Sequence, residues 1–472
     1  MRSNPMPLAK SLPLWTIALL AASGASPIAA QYDGALATAW GEGDGFATWQ
    51  GSGRVFLETA VATSDLLYGV GDYDFPAGTR SLHFQAVDGD GELRSDRVCL
   101  DSTSAYGAFT DESGGEAAIV DSSGNLLVGG WVNFQGAASR LHALVARYEI
   151  DQPGCTLDED FSTDGFQLFD TQAYCNPESC LIAALAEIRP ETGAVGAPRI
   201  VALLRATVAI SNYRYFLLGL TAAGSLDPNF GAPGTGIREV TSAALGTLQS
   251  GATMTVDDQG RILLLMTRRE AGTTSDLDVM ALRYTAAGAL DAAFGANGLM
   301  TIQDSGIDDA TDTIAGDLLT LPGTGTSLAS VQRGSDWLLI HFDDDGVFST
   351  SASPPESVGQ LVFQGDERFL SAREGLSFDT LRMRRYALFP GSYNSDPTFG
   401  SETGGGEAYD IDLGGGTGQQ VADLVLWGGR PVLVGHAFDS GGDASGFLMR
   451  TENAYLFADG FEGGNRARWS GF

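Results

Sequence analysis

The groups with which this chain of 472 residues could do chemistry are four histidines, four cysteines, 27 basic and 59 acidic residues. The histidines, His83, His142, His341 and His436, are scattered, and no H-E-x-x-H helix holds any of them. There is no G-x-S-x-G elbow and no glycine-rich phosphate loop closed by a lysine; Lys10 is the only lysine. Carboxylate pairs abound, but 59 acids make neighbouring acids unavoidable, and nothing singles out a general acid from its base. No catalytic residue is assigned on this basis, and the chain reads as leaning away from an enzyme. Asp88-Gly89-Asp90-Gly91 and Asp343-Asp344-Asp345-Gly346 have partial calcium-loop character. Calcium takes about six to eight oxygens, and neither turn has the full D-x-D-x-D-G run with a distal glutamate. Hairpin turns are the expected reading, with no cofactor and with calcium as the alternative.

Arg147, Arg283 and Arg385 each stand in an Arg-Tyr pair and precede an aspartate: Asp158, Asp291 and Asp396. A guanidinium fork matched to a carboxylate makes charge-assisted hydrogen bonds that are costly to break when buried. The six residues are expected to be structural pairs that fix the register of packed sheets. The alternative is a basic ring lining a central channel. His83-Phe84 and His341-Phe342 occupy the same place in weaker copies, so those histidines are expected to be structural too.

Cys99, Cys155, Cys175 and Cys180 are an even set, read as two disulfides. Cys175 and Cys180 enclose a turn-prone Asn-Pro-Glu-Ser, which favours Cys175–Cys180 with Cys99–Cys155; zinc is disfavoured because no histidine sits at ligand spacing. Disulfides agree with export. Residues 1–30 have a basic start (Arg2, Lys10), an apolar middle from Leu12 to Ala22 and small residues up to Ala29-Ala30, the three-part pattern of a secretory signal. The apolar run is too short to span a bilayer, and no later stretch is long enough either. Residues 1–30 hold two basic residues and no acid, so the remainder carries 25 basic against 59 acidic residues, a formal charge of −34. Such a surface repels phosphate backbones and anionic lipid, which argues against nucleic-acid and membrane-surface binding.

These groups sit on a repeat. Residues 221–234 (TAAGSLDPNFGAPG) and 285–298 (TAAGALDAAFGANG) are identical at ten of fourteen positions, at an offset of 64. Looser copies are LDEDFSTDG (157–165) and SDPTFGSETG (395–404). Ahead of each comes an apolar strand, a tight turn and another apolar strand, clearest in AAIVDSSGNLLVGG (117–130) and MTVDDQGRILLLM (254–266). Each unit therefore holds four short strands, the composition of a propeller blade, and the continuous apolar runs suit sheets covered on both faces. Second strands counted near Arg54, Leu126, Ile200, Ile262, Ala329, Phe369 and Val432 predict seven blades of 60 residues over 31–450, a single all-β propeller.

The combination of D-x-x-G hairpin, A-x-x-R-Y and A-x-G-x-L-D-x-x-F-G-x-x-G resembles the delta-60 repeat of bacterial surface and exported proteins, over roughly residues 110–450. The resemblance implies a propeller-like fold and no catalytic site. The third unit departs from it, with Gly219-Leu220 in place of Arg-Tyr. The tail at 451–472 is similar to the F-x-D-G-F-E-S-G…W-S ending of exported Gram-negative proteins through Phe457, Asp459, Gly460, Phe461, Glu462, Gly464, Trp469 and Ser470, with Gly463 at the serine position. It reads either as a secretion or attachment tag or as a terminal strand docking its aromatics.

The expectation is an exported, monomeric, non-catalytic propeller that binds a glycan or protein outside the cell or at the outer-membrane surface, the periplasm being the other compartment. The alternative is a polysaccharide- or lactone-active enzyme with its site at the channel mouth. Thiol titration of the exported protein, denatured but not reduced, should find no reactive cysteine; two or more would refute the pair of disulfides.

Overall fold

A carboxylate and a glycine make five of the hairpin turns. Asp121 Oδ1 accepts the N–H groups of Ser123 and Asn125, and Gly124 takes a φ of +85° that a side chain would oppose. The same wiring recurs at Asp88, Asp257, Asp343 and Asp439, each accepting N–H groups two and four residues on. The two acidic turns considered for calcium are thus ordinary members of this set.

The structure, a computed structural model, describes residues 37–451 apart from 38, 42–45, 50–52, 101–109, 135–140, 155, 170–178, 190–198, 210–211, 242–245, 270–276, 303–311, 335, 351–357, 366–367, 375–379, 390–391, 397–398, 400–408, 413–417 and 440. The expected signal (1–30), the tail beyond residue 451, Cys155 and Cys175 lie outside the described residues. Every regular element described is a strand.

After β1 (Phe46–Trp49), the first blade is β2 (Arg54–Ala62), β3 (Leu66–Asp74), β4 (Arg80–Asp88) and β5 (Leu93–Leu100). The second is β6 (Thr110–Val120), β7 (Leu126–Phe134), β8 (Leu141–Tyr148) and β9 (Phe166–Phe169). The third is β10 (Cys180–Ile188), β11 (Arg199–Ala209), β12 (Asn212–Thr221) and β13 (Ile237–Glu239). The fourth is β14 (Thr247–Val256), β15 (Ile262–Arg269), β16 (Leu277–Tyr284) and β17 (Leu299–Thr301). The fifth is β18 (Thr313–Leu321), β19 (Thr326–Arg333), β20 (Asp336–Phe342) and β21 (Phe348–Thr350). In the sixth, β22 (Gln360–Gly365), β23 (Arg368–Glu374) and β24 (Thr380–Phe389) are followed by β25 (Ser392–Ser395) and β26 (Tyr409–Asp412), which share the outer edge of β24. The seventh is β27 (Gly418–Trp427), β28 (Arg430–Phe438) and β29 (Ala444–Arg450), with β1 as its outer strand.

Strands pair antiparallel from inner to outer, and the inner strands β2, β6, β10, β14, β18, β22 and β27 touch one another in closed cyclic order. This is a seven-bladed propeller. Its core is seven apolar clusters, one at each blade junction, including that between the seventh and first blades. Alternate residues of one strand serve two junctions: Ile262, Leu264 and Met266 of β15 pack toward the third blade, Leu263 and Leu265 toward the fifth. Burial on both faces is why the strands read as unbroken apolar runs.

One placement in the sequence needs correcting. Arg54 begins the inner strand of the first blade, and the second strand is β3. Its turn lacks the aspartate–glycine signature, since Thr63 Oγ1 accepts the N–H groups of Asp65 and Leu66 instead.

The repeated arginines hold neighbouring blades together. Arg147, Arg283 and Arg385 are buried on third strands, away from the axis. Their Nε atoms lie 2.8, 2.7 and 2.9 Å from Oδ2 of Asp158, Asp291 and Asp396. Arg147 Nη1 also donates to the Ala222 carbonyl (2.6 Å), and Arg283 Nη1 to that of Asp344 (2.5 Å), each in the next blade's turn. The guanidinium carbons sit 4.9, 4.8 and 5.1 Å from the ring centroids of Phe161, Phe294 and Phe399, the phenylalanines of the L-D-x-x-F motif. In the third blade Arg199, from the neighbouring strand β11, takes over. Its Nε is 2.8 Å from Asp227 and its Nη1 2.6 Å from the Ala286 carbonyl of the next blade. Gly219 leaves room for Phe230, whose Cγ would lie 2.3 Å from an added Cβ.

The seventh blade draws its copy of this motif from the other end of the chain. Residues 36–41 (LATAWG) match LDPNFG (226–231), with Ala37 at the aspartate position. Ala37 N–H donates to the Arg450 carbonyl, Gly41 N–H to that of Asp90, and Arg450 stacks 5.1 Å from Trp40. With β1 against β29, this closes the ring.

Replacing Arg283 by alanine should cost about 3–5 kcal/mol, the scale for stranding a buried partner. The double change with Asp291→Ala should cost less than the sum of the single ones; additive effects under about 1 kcal/mol in denaturant titration would remove the pairing role.

Candidate functional site

Six inner strands carry a mid-strand bulge at one level, breaking the register after Leu57, Gly115, Ile182, Leu248, Ala315 and Val421. In the first, second and seventh blades a glycine lies opposite: a Cβ on Gly71, Gly130 or Gly435 would come 1.9 Å from the carbonyl oxygen of Phe56, Gly114 or Gln420. The bulged residue has no cross-strand partner and is re-aimed. It is Glu58 in β2 and Glu116 in β6, while Asp317 and Asp423 sit at the bulges of β18 and β27. Asp317 and Asp423 feel each other's charge although their blades are not adjacent, which places these side chains toward the axis.

Two of these four acids are engaged in clasps. Asp423 accepts the Thr59 hydroxyl (2.7 Å) and Ala60 N–H (3.3 Å) of the first blade, besides its own Leu424 N–H (2.7 Å). Asp317 likewise accepts N–H from Leu361 (2.8 Å) and Leu318 (2.7 Å). Burial pushes the Asp423 carboxyl up, and burial with the Asp423 charge pushes Asp317 to about 7.

Glu58 and Glu116 are partly exposed and meet a third acid, Asp72 of β3, at the junction of the first two blades. Asp72 is anchored: its Oδ1 accepts Gly115 N–H at 2.9 Å and its Oδ2 lies 3.5 Å from Arg80. Burial, then the Glu116 charge, pushes Glu58 to about 7, with Arg80 opposing. Burial and the charges of Glu116 and Glu58 raise Asp72 well above the carboxylate range. Glu116 is raised by burial, but Arg205, the Trp131 indole N–H and Arg80 oppose that rise. Beside them Phe56 meets His436 edge-on at 5.1 Å and Phe438 at 6.3 Å, and Arg80 lies 6.0 Å from the Phe56 ring. The site thus offers a carboxyl raised to about 7, a second raised carboxyl whose rise is opposed by Arg205, Trp131 and Arg80, a guanidinium and an aromatic wall.

The residues read from the sequence lie elsewhere. The six Arg–Asp partners are at the blade junctions described above. His83 Nδ1 contacts the Cys99 carbonyl at 2.9 Å, and burial lowers its pKa to about 4, so it is neutral. Asp344, in one of the turns weighed for calcium, is held by Arg261 and Arg283, which commits its carboxylate. No group of three or more potential metal ligands occurs among the described residues. Cys99 and Cys180 are disulfide-bonded, and their pairing with Cys155 and Cys175 falls outside the described residues. No helix among the described residues is long and apolar enough to cross a membrane. Glu58, Asp72 and Glu116 were not found from the sequence. The available signal was an acid followed two residues on by alanine inside an apolar inner strand, Glu58-Thr59-Ala60 and Glu116-Ala117-Ala118.

No protein-family model matches the chain, and no curated protein matches it. Among solved structures it is similar to a PL25 ulvan lyase, at 9% identity and a TM-score of 0.46 over 86% of this chain and 94% of that one. It is also similar to the levansucrase of Bacillus subtilis, at 9% identity and a TM-score of 0.36 over 68% and 91%. A levansucrase variant from B. megaterium matches at 9% identity and a TM-score of 0.38 over 69% and 92%. The likeness is one of fold, and no residue role passes from these proteins to this chain. Those proteins are named as enzymes, a levansucrase and a polysaccharide lyase, whereas the expectation from the sequence is a non-catalytic binding module; that expectation is not carried further.

Carboxyls whose pKa is higher folded than unfolded stabilise the fold fully below the unfolded value, and that stability is lost as pH rises through the folded one. For Glu58 and Asp317 the window runs from about 4 to about 7. The melting temperature should therefore rise as pH is lowered from 8 to 5, and Glu58→Gln or Asp317→Asn should flatten that rise. A melting temperature that falls over this interval would contradict the raised carboxyls.

Proposed function

We propose that this chain is a polysaccharide-active enzyme whose cleavage chemistry is done by Glu58 and Glu116. The observation that carries the reading is the convergence of two accessible bulge carboxyls from adjacent blades beside Asp72, Arg80 and the Phe56 wall. Glycoside cleavage uses one carboxyl that donates a proton to the leaving oxygen and one that acts as base or nucleophile, set apart by their surroundings. Glu58, raised to about 7, suits the donor. Glu116 has Arg205, Trp131 and Arg80 working to keep it ionised, and suits the second role. Asp72, fixed on Gly115 and Arg80, positions the junction, its own carboxyl raised by burial and by the charges of Glu116 and Glu58.

Export, a place outside the cell or in the periplasm, a monomeric state and the delta-60 likeness of the repeats belong to the same proposal. They would put the enzyme where polysaccharides are met. The test is a reducing-end assay of the mature protein on a panel of polysaccharides. Glu58→Gln should lower turnover about a hundredfold or more, the scale of general acid catalysis, with the circular dichroism unchanged. A panel on which the wild type is inert, or a variant with full turnover, would overturn the reading.

A further inference from the structure

A cavity of about 460 Å³ opens at the edge where the first blade meets the seventh, lined by Arg54, Asp74, Phe75, Pro76, Gly78 and Asp443. That volume lies within the usual range of small-molecule sites, about 300–1,000 Å³. Phe75 is partly exposed and is braced from one side by Tyr73, edge-on at 4.8 Å. Arg54 Nε reaches Asp443 Oδ1 at 3.4 Å across the blade junction.

The cavity is wired to the carboxyl cluster. Asp74 stands opposite Arg54 on one side and Arg80 on the other in the sheet register. Arg80 Nε is 2.8 Å from Asp74, and its Nη1 is 3.5 Å from Asp72. Charges therefore alternate from Asp443 through Arg54, Asp74 and Arg80 to Asp72, whose neighbour in charge is Glu58.

We propose that this cavity is a sugar-binding subsite for a neutral polysaccharide, a reading that rests on the enzymatic proposal above and names its substrate class. An aromatic ring with a braced back presents a face to the C–H side of a sugar ring. Carboxylates and guanidiniums flanking that ring supply the acceptors and donors that paired hydroxyls take. The neutral class follows from charge. The guanidinium that lines the cavity, Arg54, already has Asp443, and Arg80 behind Asp74 is engaged by that aspartate, so neither is left over for a uronate or sulfate. The chain's formal charge of −32 repels a polyanion as well.

The test is titration calorimetry of the full exported chain with cellohexaose, laminarihexaose and maltohexaose, and with hexagalacturonate as the charged control. At least one neutral hexasaccharide should bind, and hexagalacturonate should bind more weakly. Phe75→Ala should weaken that binding about tenfold or more, the scale of a lost aromatic contact. Asp443→Asn, a change at an exposed side chain, should weaken it as well without altering the melting curve. Glu58→Gln should leave binding unchanged while turnover falls. No binding to any neutral probe, tighter binding of hexagalacturonate, or wild-type affinity in both Phe75→Ala and Asp443→Asn would overturn the subsite. Loss of turnover in Glu58→Gln beside unaltered binding in those two variants would spare the catalytic carboxyl and sink the subsite alone.

Discussion

The guanidinium clasp between consecutive blades is the interaction on which the other features depend. Apart from the single pairing of Tyr213 with Leu248 between the third and fourth blades, no strand pairing joins one blade to the next among the described residues, and apolar faces alone leave two stacked sheets free to slide. Arg147, Arg199 and Arg283 remove that freedom by binding an aspartate of their own blade and a turn carbonyl of the next. The phenylalanine beneath each guanidinium makes the junction specific in depth. An arginine that lost one partner would leave desolvated charge behind, which makes the joint all-or-none in energy.

With blade positions set from their outer halves, the inner strands can tolerate irregularity. Six of them bulge at one level, and at four of these bulges a carboxyl enters the interior. Asp317 and Asp423 turn that entry into bonds between blades. Glu58 and Glu116, from adjacent blades, are spent on no such bond among the described contacts, and their charges interact. The same local defect thus supplies bonds between blades at some bulges and carboxyls outside such bonds at others.

What could be read from the sequence was what repeats. Arg283 with Asp291 and the L-D-x-x-F-G turn recur, so their pairing and the four-stranded unit were legible before any coordinates. The blade count came out right even though Arg54 was assigned to the wrong strand, because the error moved a strand within a blade and not between blades. Glu58, Asp72 and Glu116 were illegible for the opposite reason. Each occurs once, on three different strands, and only the bulge geometry and the junction bring them together. Arg199 could not be foreseen either: it replaces an arginine missing from Gly219 by reaching from the adjacent strand, a spatial substitution with no sequence offset in common. The role of residues 36–41 was hidden because a repeat copy split between the two ends of the chain does not align with its neighbours.

That split has a kinetic meaning. Joining Ala37 to Arg450 closes a loop of about 400 residues, and loop entropy disfavours such a contact until the intervening blades have formed. The segment around Ala37 is therefore the last to find its place, and the chain must persist for a time as an open crescent with an unpaired edge on β29. Ala37 supplies no carboxylate where Asp158, Asp227, Asp291 and Asp396 stand in the other copies, so the seam is bonded differently from the joints that Arg147, Arg199 and Arg283 make. Refolding should end there and spontaneous opening begin there, giving the ring a defined latch rather than seven equivalent points of failure.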